Sequence, residues 1–125
     1  MKFLLDSNVL IAAAVGIGGT RLRARMAACD EGDIVTSAIV YAEVVLGSAR
    51  GKPTSLDRLA RFVEEVPVLE FDVAAALAYA GLPFRRASYD LLIAAHAISR
   101  GLTVVTDNVG DFSDLPGLSV ENWLE

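Results

Sequence analysis

Short apolar runs alternate along the chain with longer stretches in which apolar residues recur at helical spacing. The short runs predict strands at residues 2–5, 34–36, 68–71, 102–106 and 118–120. The longer stretches predict helices at residues 8–15, 21–31, 38–49, 55–66, 73–80 and 89–100. Strands that alternate with helices usually form parallel sheets covered on both faces. The pattern therefore predicts an α/β fold with a mainly parallel central sheet flanked by helices.

Three helix ends carry residues that can satisfy free backbone groups. Thr54, with Asp57 three positions later, predicts a capping box at the start of the fourth helix. Asp72 predicts the N-cap of the fifth helix, and Gly101 predicts the end of the sixth. No repeat or long linker divides the sequence, so residues 1–125 are predicted to form one domain.

Composition narrows the class of protein. The chain is 54% hydrophobic with a formal charge of −5, which is too apolar for disorder and too acidic for a protein that holds nucleic acid by charge alone. A bound cation would reverse that negative field locally.

Asp6 interrupts the apolar N-terminus and no long uncharged apolar run exists, so neither a signal peptide nor a membrane span is predicted. The single cysteine, Cys29, fits a reducing compartment, and we expect the cytoplasm.

Polar side chains follow two of the predicted strands, where ligands of parallel sheets bind. Asp6 comes directly after the first strand, and Asp107 and Asn108 follow the fourth, with Asp111 one turn further on. Each also has a local explanation, because Asp6 can cap the following helix and Asx residues are common in turns.

Two further acids occupy positions with apolar neighbours on their own helices. Glu43 has Ile39 and Val40 before it and Leu46 after it at helical spacing. An ionised carboxylate placed there needs a partner, which is either an arginine or a metal ion. Asp90 shares its helical face with Ile93, and its alternative role is to complement the dipole of the first helical turn.

A single cation site would account for all these acids together. Several carboxylates at one place repel one another and persist only with a cation or with protonation. His96 is the only histidine, so zinc ligation is disfavoured, and oxygen ligands select Mg²⁺, with Mn²⁺ as an alternative. Divalent cations held by carboxylates activate water and stabilise phosphoryl charge, so phosphodiester hydrolysis is the predicted reaction class.

The sequence resembles PIN-domain ribonucleases, and among them the VapC-type toxins of bacterial toxin–antitoxin pairs. The resemblance covers nearly the whole chain and is specific because several motifs occur in the family's order. The matching segments are residues 4–11 (LLDSNVLI), 37–47 with Tyr41-Ala42-Glu43, 89–97 (YDLLIAAHA), 105–112 with Thr106-Asp107-Asn108, and 116–123 ending in Glu121-Asn122-Trp123.

The resemblance implies a PIN-like three-layer fold and a role for each acid. Asp6, Glu43 and Asp90 correspond to the family's invariant acids, and Asp6 and Asp90 are the implied direct Mg²⁺ ligands. Asp107 is ranked first for the fourth acidic position, ahead of Asn108 and Asp111.

The implied function is an Mg²⁺-dependent endoribonuclease toxin with RNA as its substrate, a cognate antitoxin as its partner and a homodimeric state. Two alternatives stay open: an RNA-processing PIN nuclease that has no antitoxin, and a catalytically silent interaction module of the same fold.

Three other features have mainly structural interpretations. His96 lies six residues after Asp90, on a different face of its helix, and is predicted to be structural or exposed. Trp123 is predicted to anchor the core rather than stack on a base. Arg85 and Arg86 are predicted to be either solvated loop residues or phosphate contacts.

Overall fold

The computed structural model describes residues 1–83 and 88–124 of the chain. Arg85 and Arg86 lie outside the described residues. The elements, in chain order, are β1 (Phe3–Leu5), α1 (Ser7–Val15), α2 (Gly19–Ala27), β2 (Ile34–Ser37), α3 (Ala38–Ala49), α4 (Leu56–Glu65), β3 (Val68–Leu69), α5 (Val73–Tyr79), α6 (Tyr89–Arg100), β4 (Thr103–Val105), a 3₁₀ turn (Val109–Asp111) and β5 (Ser119–Glu121).

The strands form one sheet in the order β3-β2-β1-β4-β5, and all four neighbouring pairs are parallel. Strand β1 is central: Leu4 is paired with Val35 of β2 on one side and with Val104 of β4 on the other. The predicted α/β fold with a mainly parallel sheet is confirmed. The strand order reverses at β1, so the crevice beyond its carboxyl end is where ligands of such sheets bind.

Helices cover both faces of the sheet. Side chains alternate between the two faces along a strand, yet the adjacent residues Leu4 and Leu5 are both fully buried, as are Val104 and Val105. Around this core α5 packs against α6, α6 against α3, and α3 against α1 and α4. These layers fix the positions of the helices that carry the candidate site residues.

The C-terminal segment is fastened to the core by Trp123, which is 1% exposed. Its ring packs edge-on against Phe3 with centroids 4.8 Å apart, and its Nε1 donates to the Glu121 carboxylate at 3.0 Å. The guanidinium of Arg25 lies 5.0 Å from the ring centroid and also pairs with Glu121. The prediction that Trp123 is a core anchor is confirmed.

The cap of α4 and the end of α2 differ most clearly from the sequence-based predictions. Helix α4 is capped by Ser55, whose Oγ accepts from the Arg58 N–H at 3.2 Å, so the predicted capping box at Thr54 is wrong. Thr54 is instead buried, and its carbonyl accepts from the Ser48 hydroxyl. Helix α2 ends at Ala27 rather than at residue 31, because the chain turns where the Asp30 N–H donates to the Asp33 carboxylate at 2.9 Å.

Other end signals agree with the structure. Asp72 caps α5 by accepting from the Ala75 N–H at 3.0 Å, as predicted. Gly101 ends α6 with φ of 66°, the left-handed conformation that favours glycine. Within the described part of the chain, no helix has the length and apolar character needed to cross a membrane.

Candidate active site

Asp6 lies at the carboxyl end of the central strand and is 6% exposed. Its backbone N–H continues the sheet by donating to the Val105 carbonyl at 2.9 Å. Its Oδ1 accepts from the Ser7 N–H at 2.8 Å, so the residue caps α1, and its Oδ2 accepts from the Thr106 hydroxyl at 2.8 Å. The predicted capping role is confirmed, and it leaves lone pairs of the carboxylate available to a ligand.

Glu43 projects from α3 into the same region without a full set of partners. Its Oε1 is buried and has no hydrogen-bond partner, and no arginine or lysine in residues 1–83 and 88–124 forms an ion pair with it. Burial raises the pKa of the Glu43 carboxyl, and the charges of Asp6 and Asp90 raise it further. Among the described residues, Glu43 therefore has no arginine partner.

Asp90 lies in the first turn of α6, which begins after the N-cap Ser88. Burial raises the pKa of the Asp90 carboxyl, followed by the charges of Asp6 and Asp111. Its place in the first turn also favours a negative charge through the helix dipole, so the two interpretations of this residue hold together.

The three acids thus lie close enough for their charges to act on one another. Burial is the largest cause of the raised pKa of Asp6, and the charge of Asp107 adds to it. Each of the other two carboxyl groups is in turn affected by Asp6. A group of like charges that are partly removed from water favours protonation or a bound cation. We call Asp6, Glu43 and Asp90 the acidic pocket.

The candidates for a fourth acid lie on two sides of the pocket. Asp107 is exposed and accepts from the Asn8 Nδ2 at 3.2 Å, close enough to Asp6 to raise the pKa of that carboxyl. Asp111 is on the 3₁₀ turn and acts on Asp90 instead. Asn108 donates its backbone N–H to the Thr106 Oγ1 at 3.0 Å. The first rank given to Asp107 remains a prediction.

The acidic pocket suits a hydrated Mg²⁺ ion better than a cage of protein ligands. Among the described residues, no three His, Cys, Asp or Glu side chains are placed to hold one metal together. Mg²⁺ keeps several water ligands and is commonly bound through one or two carboxylates. The unpartnered Glu43 Oε1 and the unpartnered, buried Ser7 Oγ supply the polar lining that such an ion and its waters require. The residues present therefore fit the metal.

Thr106 is the residue of this region that the sequence-based reasoning did not single out. It is fully buried at the end of β4, and its hydroxyl orients Asp6 while accepting from the Asn108 N–H. A hydroxyl residue directly after an apolar strand and directly before Asp107 is the signal that could have indicated it.

Removing the Thr106 hydroxyl tests this orientation. Valine has nearly the same volume as threonine but no hydroxyl. In Thr106→Val we expect the dissociation constant for Mg²⁺ to rise roughly 10-fold, as it does when other hydrogen-bond partners of metal ligands are removed. Thr106→Ser keeps the hydroxyl and serves as the control. Isothermal titration with Mg²⁺ measures the effect, and equal affinities in both variants would contradict the assigned role.

The fold and the acidic pocket define an α/β domain of the PIN type. The sequence profile of the family described as PIN domain matches residues 3–118. The chain is 31% identical to the tRNA(fMet)-specific endonuclease VapC of Shigella flexneri, over 98% of each chain.

Two solved structures are similar over the same extent. VapBC2 from Rickettsia felis, bound to a DNA fragment from its promoter, superposes with a TM-score of 0.85 at 26% identity, covering 98% of this chain and 99% of that one. DNA-bound VapBC from Salmonella typhimurium gives a TM-score of 0.80 at 30% identity, covering 98% of each chain. The chain belongs to the PIN-domain family, within its VapC-type group.

Proposed function

We propose that this chain is an Mg²⁺-dependent endoribonuclease that acts as the toxin of a toxin–antitoxin pair in the cytoplasm. The observation that carries the proposal is the acidic pocket, in which three carboxyl groups have raised pKa values and one oxygen of Glu43 has no hydrogen-bond partner. The full-length similarity to the VapC endonuclease of Shigella flexneri supports RNA as the substrate.

Each pocket residue has a separate task in this proposal. Asp6 and Asp90 would hold Mg²⁺, which when bound would supply Lewis acidity and an activated water for phosphodiester hydrolysis. Thr106 and the Ser7 N–H fix the two oxygens of Asp6, so that the carboxylate keeps one orientation during the reaction. Glu43 orients the attacking water with its free Oε1, and Asp107 assists from the Asp6 side of the pocket.

The same acidic pocket favours a basic side chain of an antitoxin when no substrate is bound. Carboxylates with unsatisfied oxygens form strong charge-assisted hydrogen bonds with arginine. The structures from Rickettsia felis and Salmonella typhimurium are described as VapBC complexes, which supports a protein partner for this chain.

Cleavage of RNA by the purified chain tests the enzymatic proposal. Incubation with a total tRNA fraction and with isolated initiator tRNA is expected to give fragments when Mg²⁺ is present. EDTA should stop the reaction. Intact RNA under all conditions would favour the silent interaction module.

A growth assay then separates the toxin from a processing nuclease. Expression of the chain should arrest growth, and co-expression of a short reading frame directly upstream of its gene should restore it. Cleavage without growth arrest would favour the RNA-processing alternative.

We further propose that the chain forms a homodimer through the exposed face of α5 and the start of α6. Val73 and Leu77 lie one turn apart on α5 and are 75% and 70% exposed, and Tyr89 of α6 is 61% exposed. Helix α5 packs against α6, so these side chains lie on neighbouring elements. Apolar side chains gathered on one surface in this way are typical of protein interfaces.

Leu77→Glu places a charge on this face and is expected to convert the dimer to a monomer. Light scattering after size-exclusion chromatography measures the mass, and Leu46→Glu, on an exposed apolar residue of α3, is the matched control. A dimer retained by the Leu77 variant but lost by the control variant would move the interface to α3.

A further inference from the structure

Buried polar residues gather at the carboxyl edge of the sheet. In the described part of the chain six polar or charged residues are buried, and all except Thr54 lie at or beside this edge: Asp6, Thr36, Ser37, His96 and Thr106. Two of their contacts are already explained, since Thr106 holds Asp6 and the Thr36 hydroxyl donates to the Leu5 carbonyl at 2.8 Å. The contact between Ser37 and His96 has no role in the proposed reaction. Buried polar groups are costly unless they are paired, so this pair needs an explanation.

The direction of the hydrogen bond follows from the partners of Ser37 and His96. His96 Nδ1 lies 2.7 Å from Ser37 Oγ, and both residues are fully buried. The Ser37 Oγ accepts from the Ile39 N–H at 3.1 Å as the N-cap of α3, which leaves its own proton to donate. The Glu70 carbonyl lies near Nε2 without a full hydrogen bond, and a carbonyl can only accept, so it favours a ring proton on Nε2. In that tautomer Ser37 donates to Nδ1.

The groups around His96 hold its ring in place and disfavour its charged form. Phe71 packs edge-on against it with centroids 5.4 Å apart. Burial lowers the pKa of His96, and the Arg100 guanidinium lowers it further, against an opposing effect of Asp72. A neutral ring keeps Nδ1 free to accept, so the contact persists at physiological pH.

The two helices joined by this bond each carry an acid of the pocket. Ser37 starts α3, and Glu43 follows it by six residues. His96 lies on α6, six residues after Asp90. Six residues rotate a helix by about 240°, so His96 contacts the start of α3 from one face while Asp90 is presented on another. Helices α3 and α6 pack against each other, and the bond adds a directional link to that packing.

We propose that the hydrogen bond between Ser37 and His96 is a positioning strut that sets the separation of Glu43 and Asp90, and thereby the affinity of the acidic pocket for Mg²⁺. The inference rests on the proposed function, because it assigns to His96 the positioning of acids in the same pocket. His96 touches neither metal nor substrate in this proposal, so it is a positioning residue.

Three substitutions at buried positions of α6 test the strut. His96→Leu fills the space but accepts no hydrogen bond, whereas His96→Asn places Oδ1 where Nδ1 lies and can still accept from Ser37. Ile93→Val removes a methylene from a fully buried neighbour on α6 and leaves the strut intact. The Mg²⁺ concentration for half of the full thermal shift is measured for each variant, together with kcat and KM for RNA cleavage.

For His96→Leu we expect the Mg²⁺ concentration that gives half of the full thermal shift to rise roughly 10-fold. Activity at limiting Mg²⁺ should fall by a matching factor, with little change in the KM for RNA. His96→Asn should restore most of the affinity, and Ile93→Val should melt earlier but bind Mg²⁺ like the wild type. Equal Mg²⁺ affinity in His96→Leu and Ile93→Val would overturn the proposal, because it would reduce the pair to ordinary core packing.

A second measurement covers the case in which His96→Leu fails to fold. Ser37→Thr keeps the hydroxyl and Ser37→Ala removes it, and only the second is expected to weaken Mg²⁺ binding. Combining Ser37→Ala with His96→Asn should then add no further loss, because the bond is already absent. Additive losses would count against the strut.

Nitrogen NMR of the imidazole tests the geometry without any activity. His96 is the only histidine, so its ring gives one unambiguous pair of signals, and we expect the Nε2–H form. A proton on Nδ1 would contradict the assigned direction of the bond. If the wild-type chain neither binds Mg²⁺ nor cleaves RNA, the proposed function is overturned. Failure of the strut and failure of the proposed function therefore give different results.

Discussion

Asp90→Asn is expected to abolish Mg²⁺-dependent RNA cleavage and to raise the melting temperature of the metal-free protein at pH 7. Removal of a direct metal ligand should cost more than the roughly 10–100-fold that loss of an outer partner costs. The same change removes one charge from the acidic pocket, where the charges of Asp6 and Asp90 act on Glu43 and raise the pKa of its carboxyl. Relief of about 1 kcal/mol of repulsion corresponds to roughly 3–6 °C in a domain of this size.

The control for this prediction is Glu64→Gln, which removes one charge from an exposed position of α4. It should change neither cleavage nor the response to Mg²⁺. Differential scanning calorimetry and a fragment assay on the same samples measure the two effects. Cleavage retained by Asp90→Asn would remove the basis for the assigned metal site, and a lower melting temperature would show that its charge stabilises the fold.

The second large effect is a dependence of stability on pH that Mg²⁺ reverses. The pKa values of Asp6, Glu43 and Asp90 are raised in the folded chain, above the value of about 4 expected when unfolded. Between the unfolded and folded pKa values the native state binds more protons, so the free energy of unfolding falls as pH rises. The metal-free protein should therefore be more stable near pH 5 than near pH 8.

The proposed Mg²⁺ site requires ionised carboxylates, so the stabilising effect of Mg²⁺ should be largest at the higher pH. At 100 times its dissociation constant, a ligand adds about 2.7 kcal/mol. Thermal melts at pH 5 and pH 8, with and without Mg²⁺, measure both effects: the lower stability of the metal-free protein at pH 8 and the larger stabilisation by Mg²⁺ at that pH. Asp72 has the opposite effect on the pH dependence of stability from the three pocket acids. The Ala75 N–H lowers the pKa of its carboxyl, so the stability that Asp72 provides is lost only below about pH 4. A thermal shift of equal size at both pH values would argue against a site made of these three carboxyl groups.

Much of the fold follows from the sequence because the local signals are strong. All five strands and six helices occur near the predicted positions, since apolar runs and helical spacing report burial directly. The errors lie at the ends. Thr54 and Ser55 are both good caps, and only the packing that buries Thr54 decides between them.

The sequence pointed to the charged residues of the candidate site and not to the residues that support them. Asp6, Glu43 and Asp90 are conspicuous because acids are unusual beside apolar neighbours. Thr106 and Ser37 are ordinary in strands and caps, and their roles depend on contacts with residues 100 and 59 positions away in the chain. The sequence pattern carries no information on such pairings, and the same reason leaves the fourth acid undecided between Asp107 and Asp111.

The central position of β1 has a consequence for the timing of synthesis. Asp6 emerges early from the ribosome, but β4, which pairs with one side of β1, and Thr106, which holds the Asp6 carboxylate, come about 100 residues later. At roughly 5–20 residues per second that interval lasts on the order of 5–20 s. Until then the first strand lacks one neighbour and Asp6 lacks the hydroxyl that orients its carboxylate. A partly translated chain therefore cannot assemble the complete pocket.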